Sequence, residues 1–217
     1  MLQVQSFTFG PFQENTYLVS DREGNAIIFD PGCVEEEERQ MLNSHIMTNN
    51  LKPLLLLNTH CHIDHITGNR FVFDQWKLKP LIHTEELKIL EAQELTARMY
   101  QIPLDPSPMP ERFIVEGEII QVGDISLEVL FTPGHAPGHV VFYCKEESFV
   151  IGGDVLFRGS VGRTDLPYGN FEQLKKSILE KLYRLPDHTA VYSGHGEPTE
   201  IGVEKKSNPY VSMQGSD

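Results

Sequence analysis

The stretch "NTHCHIDHITGN", residues 58–69, places three histidines and one aspartate within six positions. It follows the apolar run LLLL at 54–57, which predicts a buried strand leading into it. A buried imidazole or carboxylate costs free energy unless it is paired or bound to something. This stretch is therefore expected to bind a ligand and not to form an ordinary surface loop.

A strand that continued through this stretch would point His60 and His62 to one side and Cys61 to the other, because side chains alternate along a strand. Asp64 and His65 would then follow at the turn into the next helix. The first two histidines would hold one cation and the next two donors a second cation close by. Nitrogen and carboxylate donors without cysteine suit zinc, iron or manganese.

More donors of the same kind stand at the ends of later β-type runs. A catalytic metal needs about three protein ligands and an open position, so the first stretch requires such partners. They are His135 and His139 in "FTPGHAPGH" (131–139), Asp154 in "IGGD" (151–154) and His195 in "YSGHGEPT" (192–199).

Short β-rich runs alternate with helical patterns along the whole chain, which predicts an α/β fold with helices on the outer faces of its sheets. We expect residues 1–217 to form a single domain. The predicted strands are 4–9, 16–20, 26–30, 54–59, 125–132, 139–144, 149–154 and 189–194. The predicted helices are 34–49, 66–76, 84–100 and 171–185, the last capped by Asn170.

Two long connections are candidates for contact with a substrate. Residues 102–110 carry four prolines and would form either a lid over a site or a rigid connector. Residues 157–170 are polar and glycine-rich and follow directly on "GGD", which makes them the better candidate.

The composition limits the classes of partner. Lys and Arg total 18 against 31 Asp and Glu, a formal net charge of −13 that opposes attraction to nucleic acid or to an anionic membrane. The three cysteines lack disulfide or zinc-cluster spacing. The N-terminus resembles a strand and not a signal peptide. We expect a cytoplasmic protein without a nucleic-acid or membrane partner, whose oligomeric state the sequence leaves open.

Taken in chain order, the motifs DPG (30–32), HxHxDH, TPGHxxGH, GGD and SGHG resemble those of the metallo-β-lactamase superfamily. They are most similar to the glyoxalase II (hydroxyacylglutathione hydrolase) branch, and within it to the short single-domain bacterial members. The resemblance implies an αββα sandwich, in which two mixed β-sheets carry helices on their outer faces and metal ions lie at one edge.

The resemblance further implies two divalent metal ions per chain, most readily zinc, with iron or manganese as alternatives. His139 would support a ligand, and Asp30 would either do the same or form a structural turn. With His139, the aspartates Asp64 and Asp154 are the candidate catalytic residues. The implied ligands are His60, His62 and His135 for the first ion, Asp64, His65 and His195 for the second, and Asp154 as the bridge.

The implied reaction is hydrolysis of a small-molecule thioester such as S-lactoylglutathione by a hydroxide that bridges the two ions. The carboxylates of glutathione would need cationic partners. Arg163 and Tyr168 are the leading candidates, followed by Arg158. The helical extension that helps full-length glyoxalase II to hold glutathione is missing here or reduced to a short tail after His195.

Several alternatives stay open. "NTHCHIDHITG" and "GRTD" also resemble the iron-dependent glutathione persulfide dioxygenases, although the second-metal motifs favour the hydrolase. A nuclease of the same superfamily is disfavoured by the acidic balance. Asp154 stands where class B β-lactamases commonly have a zinc-binding cysteine, which disfavours a β-lactam specialist. A non-catalytic metal-binding scaffold is expected to have a broken ligand set, and none of the implied ligands is missing.

Overall fold

The computed structural model describes residues 1–212, and two six-stranded sheets form its centre. In the first sheet the strands follow chain order. They are β1 (Gln3–Phe9), β2 (Glu14–Ser20), β3 (Asn25–Phe29), β4 (Lys52–Leu57), β5 (Pro80–His83) and β6 (Phe113–Ile114). The first three pair antiparallel, whereas β3 to β6 pair parallel, so the sheet is mixed.

The second sheet is also mixed, because β10 and β13 pair parallel while the other neighbours run antiparallel. A short hairpin of two strands stands beside it. In chain order the strands are β7 (Ile119–Val122), β8 (Ile125–Phe131), β9 (Val140–Cys144), β10 (Phe149–Gly153), the hairpin β11 (Leu156–Phe157) and β12 (Ser160–Val161), β13 (Ala190–Ser193) and β14 (Thr199–Glu200). The spatial order is β14-β13-β10-β9-β8-β7.

Helices occupy the connections between these strands. They are α1 (Glu36–Thr48), α2 (Ile63–Ile66), α3 (Asn69–Trp76), α4 (Leu87–Glu91), α5 (Gln93–Tyr100), α6 (Phe171–Glu180) and α7 (Ile201–Ser207). Single 3₁₀ turns lie at Thr84–Glu86 and Leu182–Arg184. Within residues 1–212, no helix combines the length and the apolar character needed to cross a membrane.

The alternation of side chains along the strands produces the layers. Tyr17 and Phe29 turn inward, and the ring of Phe29 meets that of Phe142 from the second sheet at 5.3 Å between centroids. Leu18 points outward and packs in the cluster that contains Leu42 of α1. On the other outer face, α6 packs on the second sheet through Leu174 and Ile178. The αββα sandwich predicted from the sequence is confirmed.

Some predicted boundaries are wrong. Strand β4 ends at Leu57, and residues 58–62 form a loop instead of continuing the strand. The reason is a tertiary contact: the backbone N–H of Thr59 donates to Oδ1 of Asp30 at 2.7 Å and not to a neighbouring strand. The predicted helix 84–100 is divided into a 3₁₀ turn and two helices, and 66–76 is divided between α2 and α3.

The end of the last predicted helix differs as well, because 171–185 is α6 followed by a 3₁₀ turn. Asn170 is its N-cap, as predicted, and its side chain accepts a hydrogen bond from the N–H of Gln173. The tail after His195 adds the edge strand β14 and helix α7.

Candidate metal centre

Three histidines from two loops converge on one point. Nδ1 of His62 lies 2.8 Å from Nε2 of His135, and Nε2 of His60 lies 3.2 Å from the same atom. Ligand atoms of a tetrahedral zinc ion with nitrogen bonds of usual length are about 3.4 Å apart. The three ring nitrogens are therefore spaced to share one ion, although the loop that carries His60 and His62 is not the predicted strand.

A second group of donors lies beside the first. Nε2 of His195 is 3.2 Å from Oδ2 of Asp64, and Nε2 of His65 is 3.9 Å from the same oxygen. One donor atom from each of these residues falls within 4.8 Å of the others. This group corresponds to the set that the resemblance implied for a second ion.

Asp154 stands between the two groups. Its Oδ1 lies 3.5 Å from Nε2 of His65, and its Oδ2 lies 3.6 Å from Nε2 of His135 and 3.5 Å from Nε2 of His195. One carboxylate thus borders donors of both groups. This is the position that a bridging ligand requires.

The donor atoms fit cations in their chemistry as well as their spacing. Oδ1 of Asp154 and Nε2 of His65 are buried without a hydrogen-bond partner, an arrangement that is costly unless something else satisfies them. Burial lowers the pKa of His62 to about 3, which keeps its ring neutral and able to bind a metal. Burial also opposes charge on His65, yet Asp154 and Asp64 raise its pKa. The local potential therefore favours positive charge.

Two carboxylates lie behind His65, on the side of its Nδ1. Asp30 lies 3.2 Å from that atom and also accepts a 2.7 Å hydrogen bond from the hydroxyl of Thr59. Glu14, which the sequence reading missed, lies 3.8 Å from the same nitrogen and accepts a hydrogen bond from Thr16. Burial raises the pKa of Glu14 well above its usual value. These contacts support Asp30 as a residue that orients a ligand.

His139 is placed behind Asp154 and not on the cavity. Its ring is buried, and Nε2 accepts a 3.0 Å hydrogen bond from the backbone N–H of Asp154. Its Nδ1 lies 3.2 Å from the hydroxyl of Thr132. The residue therefore holds the backbone of Asp154, a contact compatible with the supporting role that the resemblance implied.

Glu86 is a second carboxylate that the sequence reading missed. It is fully buried and accepts backbone hydrogen bonds from Cys61 at 2.8 Å and from Gly138 at 2.6 Å. It thus connects the loop of His60 and His62 to the loop that carries His135 and His139. Burial raises its pKa to about 7, against the opposing effect of the two N–H donors. Nothing in the local sequence distinguishes Glu86 from its exposed neighbour Glu85.

Backbone carbonyls hold two more ligand rings. Nδ1 of His135 lies 2.7 Å from the carbonyl oxygen of Arg163, and Nδ1 of His195 lies 3.1 Å from that of Phe12. Because a carbonyl only accepts, each Nδ1 carries the proton and leaves Nε2 free for a metal. The second contact joins the last ligand to the N-terminal part of the chain.

A cavity of about 660 Å³ opens above the donors, between α4 and α5 on one side and the 157–170 connection on the other. Arg163 and Tyr168 line it, as predicted, whereas Arg158 does not. The guanidinium of Arg163 is paired with Asp165 through two 2.8 Å hydrogen bonds.

The proline-rich connection 102–110 lies apart from the cavity wall. Its Ser107 donates a backbone hydrogen bond to Gln93 and accepts one from the side chain of Asn69. These contacts favour the rigid connector over the lid.

Sequence comparisons agree with this geometry. Residues 9–195 match the family model described as the metallo-beta-lactamase superfamily. A Bacillus subtilis protein named probable metallo-hydrolase YqgX is 41% identical over 94% of this chain and 94% of its own length. Hydroxyacylglutathione hydrolase GloC of Haemophilus influenzae is 39% identical over 94% of this chain and 95% of its own.

Two solved structures have the same fold along nearly their whole length. The BLEG-1 B3 metallo-beta-lactamase superposes with a TM-score of 0.89 at 34% identity, covering 96% of this chain and 99% of the other. TTHA1623 in a di-iron-bound form superposes with a TM-score of 0.85 at 39% identity, covering 95% of this chain and 100% of the other. Fold, donor geometry and sequence lead to one conclusion: this chain belongs to the metallo-β-lactamase superfamily.

Proposed function

We propose that this protein is a metal-dependent hydrolase that cleaves a small-molecule thioester such as S-lactoylglutathione. The observation that carries the proposal is the position of Asp154, whose two oxygens border both complete donor groups. The relative named hydroxyacylglutathione hydrolase supports the choice of substrate. Within residues 1–212 both donor groups have all their members, which argues against a non-catalytic scaffold.

Two divalent ions in these positions would supply an ionised water near neutral pH and a Lewis acid for the scissile carbonyl. The chain's own residues prepare this chemistry. His60 is held neutral, because burial lowers its pKa well below the usual value. Asp154 stays ionised despite burial, since His65 and its neighbours lower its pKa. The first donor group thus offers neutral rings, and Asp154 offers a charged carboxylate beside them.

A glycine permits this arrangement of Asp154. Gly153 has a φ of +47°, and a Cβ atom there would lie 2.4 Å from the hydroxyl of Thr59 and 2.6 Å from Nε2 of His139. A side chain at this position would therefore displace His139, which holds the backbone of Asp154, and Thr59, which donates to Asp30. The second glycine of "GGD" is explained by this close packing.

We propose zinc as the native metal, with iron or manganese as alternatives that the same donors accept. The di-iron form of TTHA1623 supports two ions per chain. We also propose a cytoplasmic location, which the three free and buried cysteines support. The net charge of −13 supports the expectation that neither nucleic acid nor membrane is a partner.

An iron-dependent persulfide dioxygenase is the main alternative, and it differs in metal content. Such an enzyme uses one iron held by two histidines and a carboxylate. The second donor group, Asp64, His65 and His195, favours the two-ion hydrolase. The similarity to BLEG-1 also supports a β-lactam as an additional assay compound.

The experiment combines turnover with metal analysis. Zinc-loaded wild type is assayed with S-lactoylglutathione beside Asp154→Ala, and Asp124→Ala, an exposed aspartate outside the site, is the matched control. We expect two ions and turnover in the wild type and the control, and loss of at least 100-fold in Asp154→Ala. Bound metal without thioester turnover would contradict the proposal. A single bound iron, with O2 consumed as glutathione persulfide is converted to glutathione and sulfite, would establish the alternative.

A further inference from the structure

The cavity above the metal centre is much larger than a lactoyl group and is walled by apolar side chains. Helices α4 and α5 contribute Ile89, Leu95 and Met99 to one wall. Val161 and Leu166 face them from the opposite side. A substrate whose carbonyl reaches the donors would place one arm between these two walls.

The cationic side chains of the cavity already have carboxylate partners. Arg163 is bound to Asp165, as described above. Nζ of Lys88 lies 3.4 Å from a carboxylate oxygen of Glu85 and sits over the ring of Tyr168 at 4.5 Å. Apart from these two and the histidines, the lining residues within 1–212 carry no positive charge. A substrate arm with carboxylates would thus compete with Asp165 for Arg163 and with Glu85 for Lys88.

The mouth of the cavity is apolar as well. Leu95 is 63% exposed, Met99 73% and Tyr100 45%, and all three belong to α5. Phe12 closes the edge against Tyr100, with 5.6 Å between ring centroids. A group of large apolar side chains open to solvent beside a cavity is typical of a ligand-binding surface.

From these three observations we propose that the α4–α5 wall binds an apolar acyl group of about six to eight carbons. The site would then prefer thioesters of medium-chain acids to the small hydroxyacyl group of S-lactoylglutathione. This inference rests on the proposed hydrolysis, since it assigns the acyl arm of the same substrate. It makes Leu95 and Met99 residues that determine specificity.

The first test measures binding without turnover. Zinc-loaded protein is titrated calorimetrically with acetate, butanoate, hexanoate and octanoate, the acids that hydrolysis would release. Each methylene buried against the wall is expected to lower Kd about threefold to fourfold. From butanoate to octanoate the improvement is then about 100-fold. An improvement below tenfold overturns the inference.

Variants locate the effect on the wall. In the double variant Leu95→Gln and Met99→Gln, we expect the improvement from butanoate to octanoate to fall at least fivefold. Both side chains are exposed on a helix, so the exchange is compatible with the fold. The matched control is Met41→Gln with Met47→Gln, two methionines of α1 that are 56% and 67% exposed. An equal loss in the control, or none in the wall variant, contradicts the assignment.

Turnover then separates this inference from the proposed function. The substrates are lactoyl and hexanoyl thioesters, each made with glutathione and with the neutral thiol N-acetylcysteamine. A higher kcat/KM for hexanoyl with both thiols supports the acyl assignment. Equal or better hydrolysis of the lactoyl compounds overturns it and leaves the thioesterase intact. If no thioester is hydrolysed but chain length still governs Kd, the hydrolase proposal fails and the apolar binding site stands.

Discussion

The backbone N–H of Asp154 donates a 3.0 Å hydrogen bond to Nε2 of His139. This ring nitrogen therefore carries no proton, and the proton resides on Nδ1, which faces the hydroxyl of Thr132. Burial lowers the pKa of His139 well below its usual value, so the ring stays neutral. The histidine that holds the backbone of Asp154 thus works as a hydrogen-bond acceptor.

Replacing His139 by alanine should loosen Asp154 without removing any of the seven donors. Residues that orient metal ligands typically contribute 10-fold to 100-fold to metal affinity or activity. We expect a loss of that size for the more weakly held ion, measured by competition with a chromophoric chelator. His188→Ala, which changes an exposed histidine, should leave the affinity unchanged. Wild-type affinity in the His139 variant would show that the hydrogen bond is dispensable.

The link through Glu86 leads to a second prediction. In Glu86→Ala the N–H groups of Cys61 and Gly138 lose their buried acceptor. We expect the free energy of unfolding to fall by about 3 kcal/mol, and zinc affinity to fall 10-fold or more because the two ligand loops separate. Urea unfolding and zinc titration measure the two effects. Glu85→Ala, the exposed neighbour, is the matched control, and equal losses in both variants would argue against the link.

The pKa of Glu86 also predicts how stability depends on pH. Burial raises this pKa from an ordinary value near 4.5 to about 7, so the folded state binds the proton more tightly than the unfolded chain. The associated stability is present at low pH and is lost as pH rises through 7. Relative to Glu86→Gln, the metal-free wild type should lose roughly 2 to 3 kcal/mol between about pH 5 and about pH 8. A wild-type stability that stays constant or increases with pH relative to Glu86→Gln would contradict the assignment.

Removing the metal should destabilise the protein. Asp64 and Asp154 approach the same histidines, so the centre gathers carboxylates that an ion would stabilise. An ion present at about 1,000 times its Kd stabilises the folded state by about 4 kcal/mol. We expect EDTA to lower Tm by several degrees and added zinc to restore it. EDTA saturated with zinc beforehand controls for the chelator itself, and an unchanged Tm would exclude metal-linked stability.

The sequence predicts the donors because they lie in short motifs at strand ends, where chemistry and local structure coincide. Its period-two pattern also separates Tyr17, which faces the second sheet, from Leu18, which faces α1. The same rule fails at residues 58–62, because the carboxylate of Asp30 takes a backbone N–H that a strand would have used. That competition arises from the tertiary fold and has no local signal.

Glu14 and Glu86 show the same limit for the site. Each is a buried carboxylate that reaches the site through a residue distant in sequence, and each resembles an ordinary surface glutamate until the sheets come together. Arg163 illustrates the reverse case. Its position on the cavity agrees with the prediction, but its pairing with Asp165 could not be read from the motif "GRTD".

The contact between His195 and the carbonyl of Phe12 has a consequence for biosynthesis. A ribosome releases Phe12 long before His195, yet the second donor group needs both segments in place. His60, His62 and His135 can meet an ion on the growing chain before His195 emerges, whereas the second ion must await strand β13 and the histidine that follows it. Metal loading would then proceed in two stages, the later one after residue 195 has left the ribosome.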